Sequence, residues 1–299
     1  MSTDVLTRAM ESFLRQMAAD GRSPGSIRSY RRELIFLSQF LGTISTRSIT
    51  VDILNKYLTS SGVQTMQGGE PKQTSTINRT KSVMRAFFRW CQQTGVLKQN
   101  PAAHIRLVVT AALPTPYMTR TEIARFLHTI SESRNSLAAR DYALFATLAY
   151  TGIRLSEVVR VRSHDVDIAR RMLQLQRTKG GRQERRHLPA VLRRILSRYI
   201  SKREQNSGND DGILFVSQLR KPLSARALQY RFRFWLRRAR IRKQLSVHSL
   251  RHTFGTLLYR ATRDLVLVSH ALGHKDLKST LRYTHQGDDA LARAVNMIW

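Results

Sequence analysis

Several features are scarce in this chain, and each scarcity excludes a class of protein. One cysteine in 299 residues allows no disulfide within the chain, and this usage is typical of a reducing cytoplasm. Seven prolines and 15 glycines, with 41% hydrophobic residues, are not the composition of a disordered or fibrous chain. No stretch of about 20 apolar residues is present, and the N-terminus lacks a signal-peptide pattern. We therefore expect a cytoplasmic protein with ordinary apolar cores and no membrane partner.

Acidic residues are scarce as well. The chain has 20 Asp and Glu against 51 Lys and Arg, which gives a formal net charge of +31. Residues 1–107 hold 15 basic and 6 acidic residues, and the remainder holds 36 and 14. A basic surface in both halves predicts binding to a polyanion with release of counterions, and it suits a protein that encloses a nucleic-acid duplex.

Hydrophobic spacing divides the chain into two predicted domains. In residues 1–107, apolar residues recur at intervals of three and four in four segments, which predicts a four-helix bundle. Residues 108–117 contain two prolines and no charge, so we expect a linker there. Residues 118–299 have the pattern of a mixed domain. The predicted fold class is therefore mainly α with a small β-sheet, or α+β.

The second domain has a predicted β-hairpin. Strand-like segments at 172–176 and 185–188 flank Lys179, which two glycines follow as a turn signal. The other predicted elements are helices at about 120–132, 138–151 and 155–161, a helix after Pro189, strand-like segments at 166–168 and 213–217, and consecutive helices from about Ser224.

Five segments of the second half contain side chains suited to attacking a phosphodiester. They are TGIRLSEV, RTKGGRQERRHLP, HSLRH, ALGH and LRYTH, and the side chains are Arg154, Lys179, His248, Arg251, His274 and Tyr283. Each residue alone is more often a solvated or packing side chain. The ordered set is what indicates a function.

These residue types fit one reaction. A phenol ionises more readily than an alcohol, so Tyr283 can attack phosphorus while a histidine takes its proton. The planar forks of Arg154 and Arg251 can hold the non-bridging oxygens, on which charge builds. His248 precedes Arg251 by three residues, so both would face the same way on a helix. Lys179, at a hairpin tip, can protonate the leaving 5′-oxygen.

We expect this chemistry to need no cofactor and no metal. No loop for a nucleotide cofactor accompanies the six residues. A zinc site is not favoured either, because His248, His252 and His274 lack a clear fourth ligand.

In this order the motifs resemble those of the tyrosine recombinase (phage integrase) family, in its two-domain, Xer-like form. The resemblance covers the second domain, and SPGSIRSYRRELIFLSQF in the first is similar to a helix of the family's core-binding domain. It implies a site-specific DNA recombinase that cuts and rejoins strands through a 3′-phosphotyrosine formed by Tyr283. It also implies that Arg154 and Arg251 clamp the phosphate, that Lys179 protonates the leaving oxygen, and that His248 and His274 assist.

The resemblance implies further roles and partners. Glu157 stands where the family has an acidic residue that supports the first arginine. The expected partners are double-stranded DNA with a specific recombination site, three further copies of the chain in a tetramer on two sites, and a paired recombinase or accessory proteins. Residues 288–299 carry a short apolar stripe that either closes the chain's own core or docks on a neighbouring protomer, and the resemblance favours docking.

Three alternatives stay open at this point. A type IB topoisomerase would use nearly the same residues, but as a monomer that relaxes supercoils. A non-catalytic DNA-binding relative would keep the fold and the charge. A basic RNA-binding protein would not need Tyr283.

Overall fold

The structure, a computed structural model, describes residues 2–109, 115–175, 184–204 and 212–273. The chain forms two compact units, Met1–Ala112 and Leu113–Trp299, and each has its own apolar core. Within the described residues the fold is mostly helical with one small antiparallel sheet, which confirms the predicted fold class. None of the described helices has the length and apolar character needed to cross a bilayer.

The first unit is helical. Phe87, Phe88 and Leu34 are fully buried at its centre. Burial also raises the pKa of the Cys91 thiol to about 12, so this cysteine is the inert core residue that its apolar neighbours predict. The elements are α1 (Ser2–Ala19), α2 (Pro24–Leu41), a 3-10 turn (Thr46–Ser48), α3 (Val51–Thr59), the single turn α4 (Ser61–Gln64) and α5 (Thr74–Gln93).

The second unit packs its helices around α7. Residues on every side of α7 are buried, and Ala143 to Ala146 are fully so, which is the pattern of a central helix. The helices are α6 (Arg120–Ser131), α7 (Ala138–Thr151), α8 (Leu155–Val158), α9 (Ala190–Glu204), α10 (Ala225–Arg238), α11 (His248–Thr262) and α12 (Leu265–Leu272), with a 3-10 turn at Ser163–Asp165.

Three short strands form the sheet in the order β1-β2-β3. They are β1 (Val166–Asp167), β2 (Met172–Leu175) and β3 (Glu184–His187), and both pairings are antiparallel. The pairing of β2 with β3 is the one that the predicted hairpin requires. Its turn, with Lys179, lies outside the described residues.

The prediction of a strand at 213–217 is wrong. The segment makes only isolated bridges, from Ile213 to Arg162 and from Val216 to Pro222. Leu214 is fully buried, and its carbonyl accepts a hydrogen bond from the Tyr199 hydroxyl of α9 at 3.2 Å. The apolar run therefore reflects packing of a loop beneath a helix, which spacing alone cannot distinguish from a buried strand.

Candidate active site

Arg154 lies in the short connection between α7 and α8. Its backbone N–H donates to Glu157 Oε2 at 2.6 Å, and its guanidinium Nη1 donates to Glu157 Oε1 at 2.9 Å. One carboxylate therefore caps the first turn of α8 and orients the arginine. The Arg154 side chain is 38% exposed and that of Glu157 is 12% exposed, so the pair stands at the edge of the core.

Arg251 is buried on α11, with 3% of the residue exposed. Its Nη1 donates to the Gly152 carbonyl at 2.7 Å, and its Nη2 donates to the Leu272 carbonyl at 2.5 Å. A buried guanidinium is stable only when such acceptors replace water. Arg251 thereby joins the C-terminal ends of α7 and α12.

The two arginines meet at the C-terminal end of α12. Arg154 Nη2 donates to the Gly273 carbonyl at 3.1 Å, while Arg251 holds the carbonyl of the preceding residue, Leu272. Because these carbonyls belong to successive residues, the two guanidinium groups lie close together. The structure thus brings together two residues that are 97 positions apart in the sequence.

Gly152 allows three helices to pack closely beside the two arginines. It ends α7 in the left-handed region, with φ of +61°. A Cβ at this position would lie 2.5 Å from Cδ1 of Phe254 on α11 and 3.0 Å from Cδ2 of Leu272 on α12. Glycine therefore allows both the turn and the close packing of three helices beside the arginines.

His248 is the exposed first residue of α11, and Arg251 is one turn further on, as the spacing predicted. The His248 ring meets the buried His252 ring edge-on, with 4.7 Å between centroids and 89° between planes. This contact orients an exposed imidazole one turn before Arg251 on the same helix.

Lys179, His274, Tyr283 and the segment 288–299 lie outside the described residues. The described chain resumes after the hairpin turn at Glu184 and stops at Gly273, one residue before His274. Their roles therefore stay predictions. Among the residues that are described, no three His, Cys, Asp or Glu side chains are grouped so as to hold a metal ion.

The sequence does not predict where two residues near this site lie, although Arg186 is one of the hairpin arginines that could do work similar to that of Lys179. Glu184 and Arg186 of β3 lie against Gly273, so closely that a Cβ on Gly273 would be 2.7 Å from Arg186 Nη2. Both sit on the inward-facing side of β3. The only signal in the sequence was a strand-like segment made of charged residues and a histidine.

Comparison with known proteins identifies the family. Residues 116–289, more than half of the chain, match the phage integrase family, and residues 10–95 match the N-terminal SAM-like domain of phage integrases. The chain belongs to the phage integrase family. The resemblance drawn from the motifs is thereby confirmed, and this protein is a tyrosine site-specific recombinase.

The relatives match this chain over nearly its whole length. It is 30% identical over 292 residues to tyrosine recombinase XerC of Chromohalobacter salexigens, which covers 96% of this chain and 93% of that protein. It is 29% identical over 279 residues to XerC of Chromobacterium violaceum, with 93% and 90% covered.

Solved structures show the same fold. The XerH site-specific recombinase bound to a palindromic difH substrate aligns with a TM-score of 0.76 at 23% identity, covering 93% of this chain and 81% of that one. The Tn1549 transposon integrase in complex with a circular intermediate DNA aligns with a TM-score of 0.76 at 19% identity, covering 97% and 99%.

Proposed function

We propose that this protein performs site-specific DNA recombination with Arg154, Lys179, His248, Arg251, His274 and Tyr283 as its catalytic residues. The observation that carries the proposal is the convergence of Arg154 and Arg251 on successive carbonyls at the end of α12. Glu157 balances one of these two positive charges, and a phosphodiester bound beside them would balance the other. Glu157 orients Arg154 and does not contact the DNA.

The reaction balances without an external energy source. The Tyr283 oxygen attacks the scissile phosphorus, the bond to the 5′-oxygen breaks, and a 3′-phosphotyrosine forms. The phenol proton goes to a histidine, and the leaving 5′-oxygen takes a proton from Lys179. A 5′-hydroxyl from the partner strand then attacks the phosphotyrosine in the reverse sense. One phosphodiester is exchanged for another, so no cofactor is required.

The arginines stabilise the charge that builds on the non-bridging oxygens. A guanidinium has five N–H donors in a fixed plane, so bonds to backbone carbonyls can orient it while other donors face the phosphate. Arg154 is the more exposed of the two and is the readier to contact a bound strand. His248, exposed at the start of α11, lies on the same side as Arg251.

The proposed partners follow from the family and the charge. Residues 1–107 would act as the core-binding domain, 108–117 as the linker and 118–299 as the catalytic domain. Both domains carry excess positive charge for a duplex. Four protomers would join two sites, with residues 288–299 docking between protomers and with a paired recombinase or accessory proteins completing the complex in the cytoplasm. The related XerH and Tn1549 integrase structures contain DNA.

The test starts by trapping covalent adducts. The protein is mixed with sheared DNA, the reaction is stopped with denaturant, and DNA that stays attached to protein is sequenced. We expect one sequence to be enriched, and two copies of it on a plasmid to recombine.

Each other outcome supports an alternative. If supercoiled plasmids without the enriched sequence are relaxed as fast as plasmids that contain it, the protein is a type IB topoisomerase. Binding without any adduct would indicate a non-catalytic relative, and a preference for RNA over DNA would indicate an RNA-binding protein.

A further inference from the structure

The inward-facing side of β3 is charged where a leucine or valine is usual. Glu184 and Arg186 occupy its two inward positions, opposite Leu175 and Leu173 of β2 respectively. Both leucines are buried, so the two charged side chains share a face of the sheet with apolar core residues. Alternation of apolar and polar residues does not account for this arrangement.

The two charges pair with each other. Arg186 Nη2 donates to Glu184 Oε2, and Arg186 Nη1 donates to the Arg185 carbonyl at 3.0 Å. The side chains are 8% and 23% exposed for Arg186 and Glu184. Within the described residues, Arg186 Nε is buried with no hydrogen-bond partner. A buried pair of this kind is often no more stable than apolar residues of similar size, so stability alone does not explain it.

The Glu184–Arg186 pair lies against Gly273. This glycine ends α12 in the left-handed region, with φ of +61°. A Cβ added to it would lie 2.7 Å from Arg186 Nη2 and 2.9 Å from Glu184 Cδ. The same glycine accepts a hydrogen bond from Arg154 through its carbonyl at 3.1 Å. The pair therefore touches a residue that, together with Glu157, orients Arg154.

We propose that Glu184 and Arg186 are positioning residues for strand cleavage, and this rests on the function proposed above. The pair packs on Gly273 and sets the position of its peptide. That peptide fixes the Arg154 guanidinium, and His274 is the residue bonded to it. The pair also begins the strand that follows the Lys179 hairpin, so it links the hairpin to the end of α12. A displacement of about 1 Å at a reacting group can slow a reaction about 100-fold.

The first test separates positioning from stability. In the double variant Glu184→Leu/Arg186→Met, apolar side chains replace the pair. We expect an unfolding temperature equal to or above that of the unchanged protein. Single-turnover cleavage of a nicked duplex carrying the trapped sequence, at saturating protein, should fall roughly tenfold to 100-fold. The protein concentration for half-maximal binding should not change. Unchanged cleavage by the double variant would overturn the proposal.

The second test uses a matched pair of glycines. Gly273→Ala and Gly212→Ala both put an L residue at positive φ, +61° and +69°, but only at Gly273 does the new Cβ meet other atoms. Gly273→Ala should slow cleavage and Gly212→Ala should not, when both are assayed at a temperature well below the unfolding temperature of either variant. Equal cleavage rates in Gly273→Ala and Gly212→Ala would overturn the proposal. This result does not depend on whether the Glu184→Leu/Arg186→Met variant folds.

A combined variant tests the path through the pair. If the added methyl acts by displacing Glu184 and Arg186, then Gly273→Ala should slow cleavage no further once both have been replaced by Leu and Met. Losses that simply multiply would mean that Gly273 and the pair act independently.

In every assay the unchanged protein must form the covalent adduct. Its failure to do so would refute the proposed function, whereas variants that match an active unchanged protein refute only the positioning role.

Discussion

At the scale of single residues, the two site arginines differ in what they do for the fold. Arg251 is 3% exposed and bonds to carbonyls at the ends of two helices. Arg154 has a side chain that is 38% exposed and is oriented by Glu157. Arg251 therefore also holds two helix ends together, whereas Arg154 lies nearer the surface.

This difference gives a prediction. Arg154→Ala and Arg251→Ala should each lower single-turnover cleavage about 100-fold or more, because each removes a charged donor to the transition state. Only Arg251→Ala should also lower the unfolding temperature clearly, since it leaves two buried carbonyls without their donors. Cleavage and thermal unfolding are measured on both variants. A variant that loses DNA affinity and cleavage rate by equal factors would mark that arginine as an ordinary backbone contact.

At the scale of elements, the β2–β3 hairpin connects the sheet to the site. Its second strand begins with Glu184, which lies against Gly273 at the end of α12. Lys179 precedes this strand in the sequence, outside the described residues, and it is the residue for which we propose the general-acid role. Lysine suits the role better than the neighbouring arginines, because its pKa falls readily when it is desolvated among cations.

The general-acid role makes a specific chemical demand. A substrate with sulfur in place of the bridging 5′-oxygen has a leaving group that needs no proton. Lys179→Ala should therefore cleave the oxygen substrate slowly and recover most of its rate on the sulfur substrate. Arg154→Ala is the control and should recover much less. Without rescue of Lys179→Ala, the lysine would be a phosphate or base contact.

Elements were predictable where local signals and packing agree. The helix predicted at about 120–132 is α6, and Thr119 and Glu122 form the capping box that begins it, with Thr119 Oγ1 accepting from the Glu122 N–H at 3.1 Å. The segment 213–217 was misassigned, because a short buried apolar run has no period that separates strand from loop. The inward-facing Glu184 and Arg186 could not be predicted, since alternation places charged residues outside. Their position depends on Gly273, which is 87 residues beyond Arg186 in the sequence.

At the scale of the whole molecule, the positive charge decides how strongly DNA binding depends on salt. A net charge of +31, with basic residues in excess in both halves, predicts that DNA binding is driven largely by counterion release. Log affinity should fall linearly with log salt concentration. With about 6–10 phosphate contacts, the loss between about 50 and 200 mM salt should be roughly 10³ to 10⁵-fold. Titrations of a labelled duplex at four salt concentrations measure the slope. Affinity that hardly changes with salt would contradict an interface based on phosphate contacts.

The assembly depends, in our proposal, on residues 288–299. A chain that ends at residue 287 should still bind one isolated site with unchanged affinity, because the proposed DNA contacts remain. Cooperative occupancy of two adjacent sites should fall, and gel-shift titrations on one-site and two-site duplexes measure both. If the truncated chain instead unfolds at a much lower temperature, the segment packs within its own protomer.

The central claim is that Tyr283 carries the DNA during strand exchange. The most direct measurement is to trap the covalent adduct, digest both protein and DNA, and locate the attached nucleotide by mass spectrometry of the peptides. Tyr283 and the eight other tyrosines of the chain are thereby compared in one experiment. We predict a 3′-phosphonucleotide on the peptide that contains Tyr283, and no adduct from Tyr283→Phe at normal DNA affinity. A nucleotide on any other residue, or an undiminished adduct from Tyr283→Phe, would contradict the account.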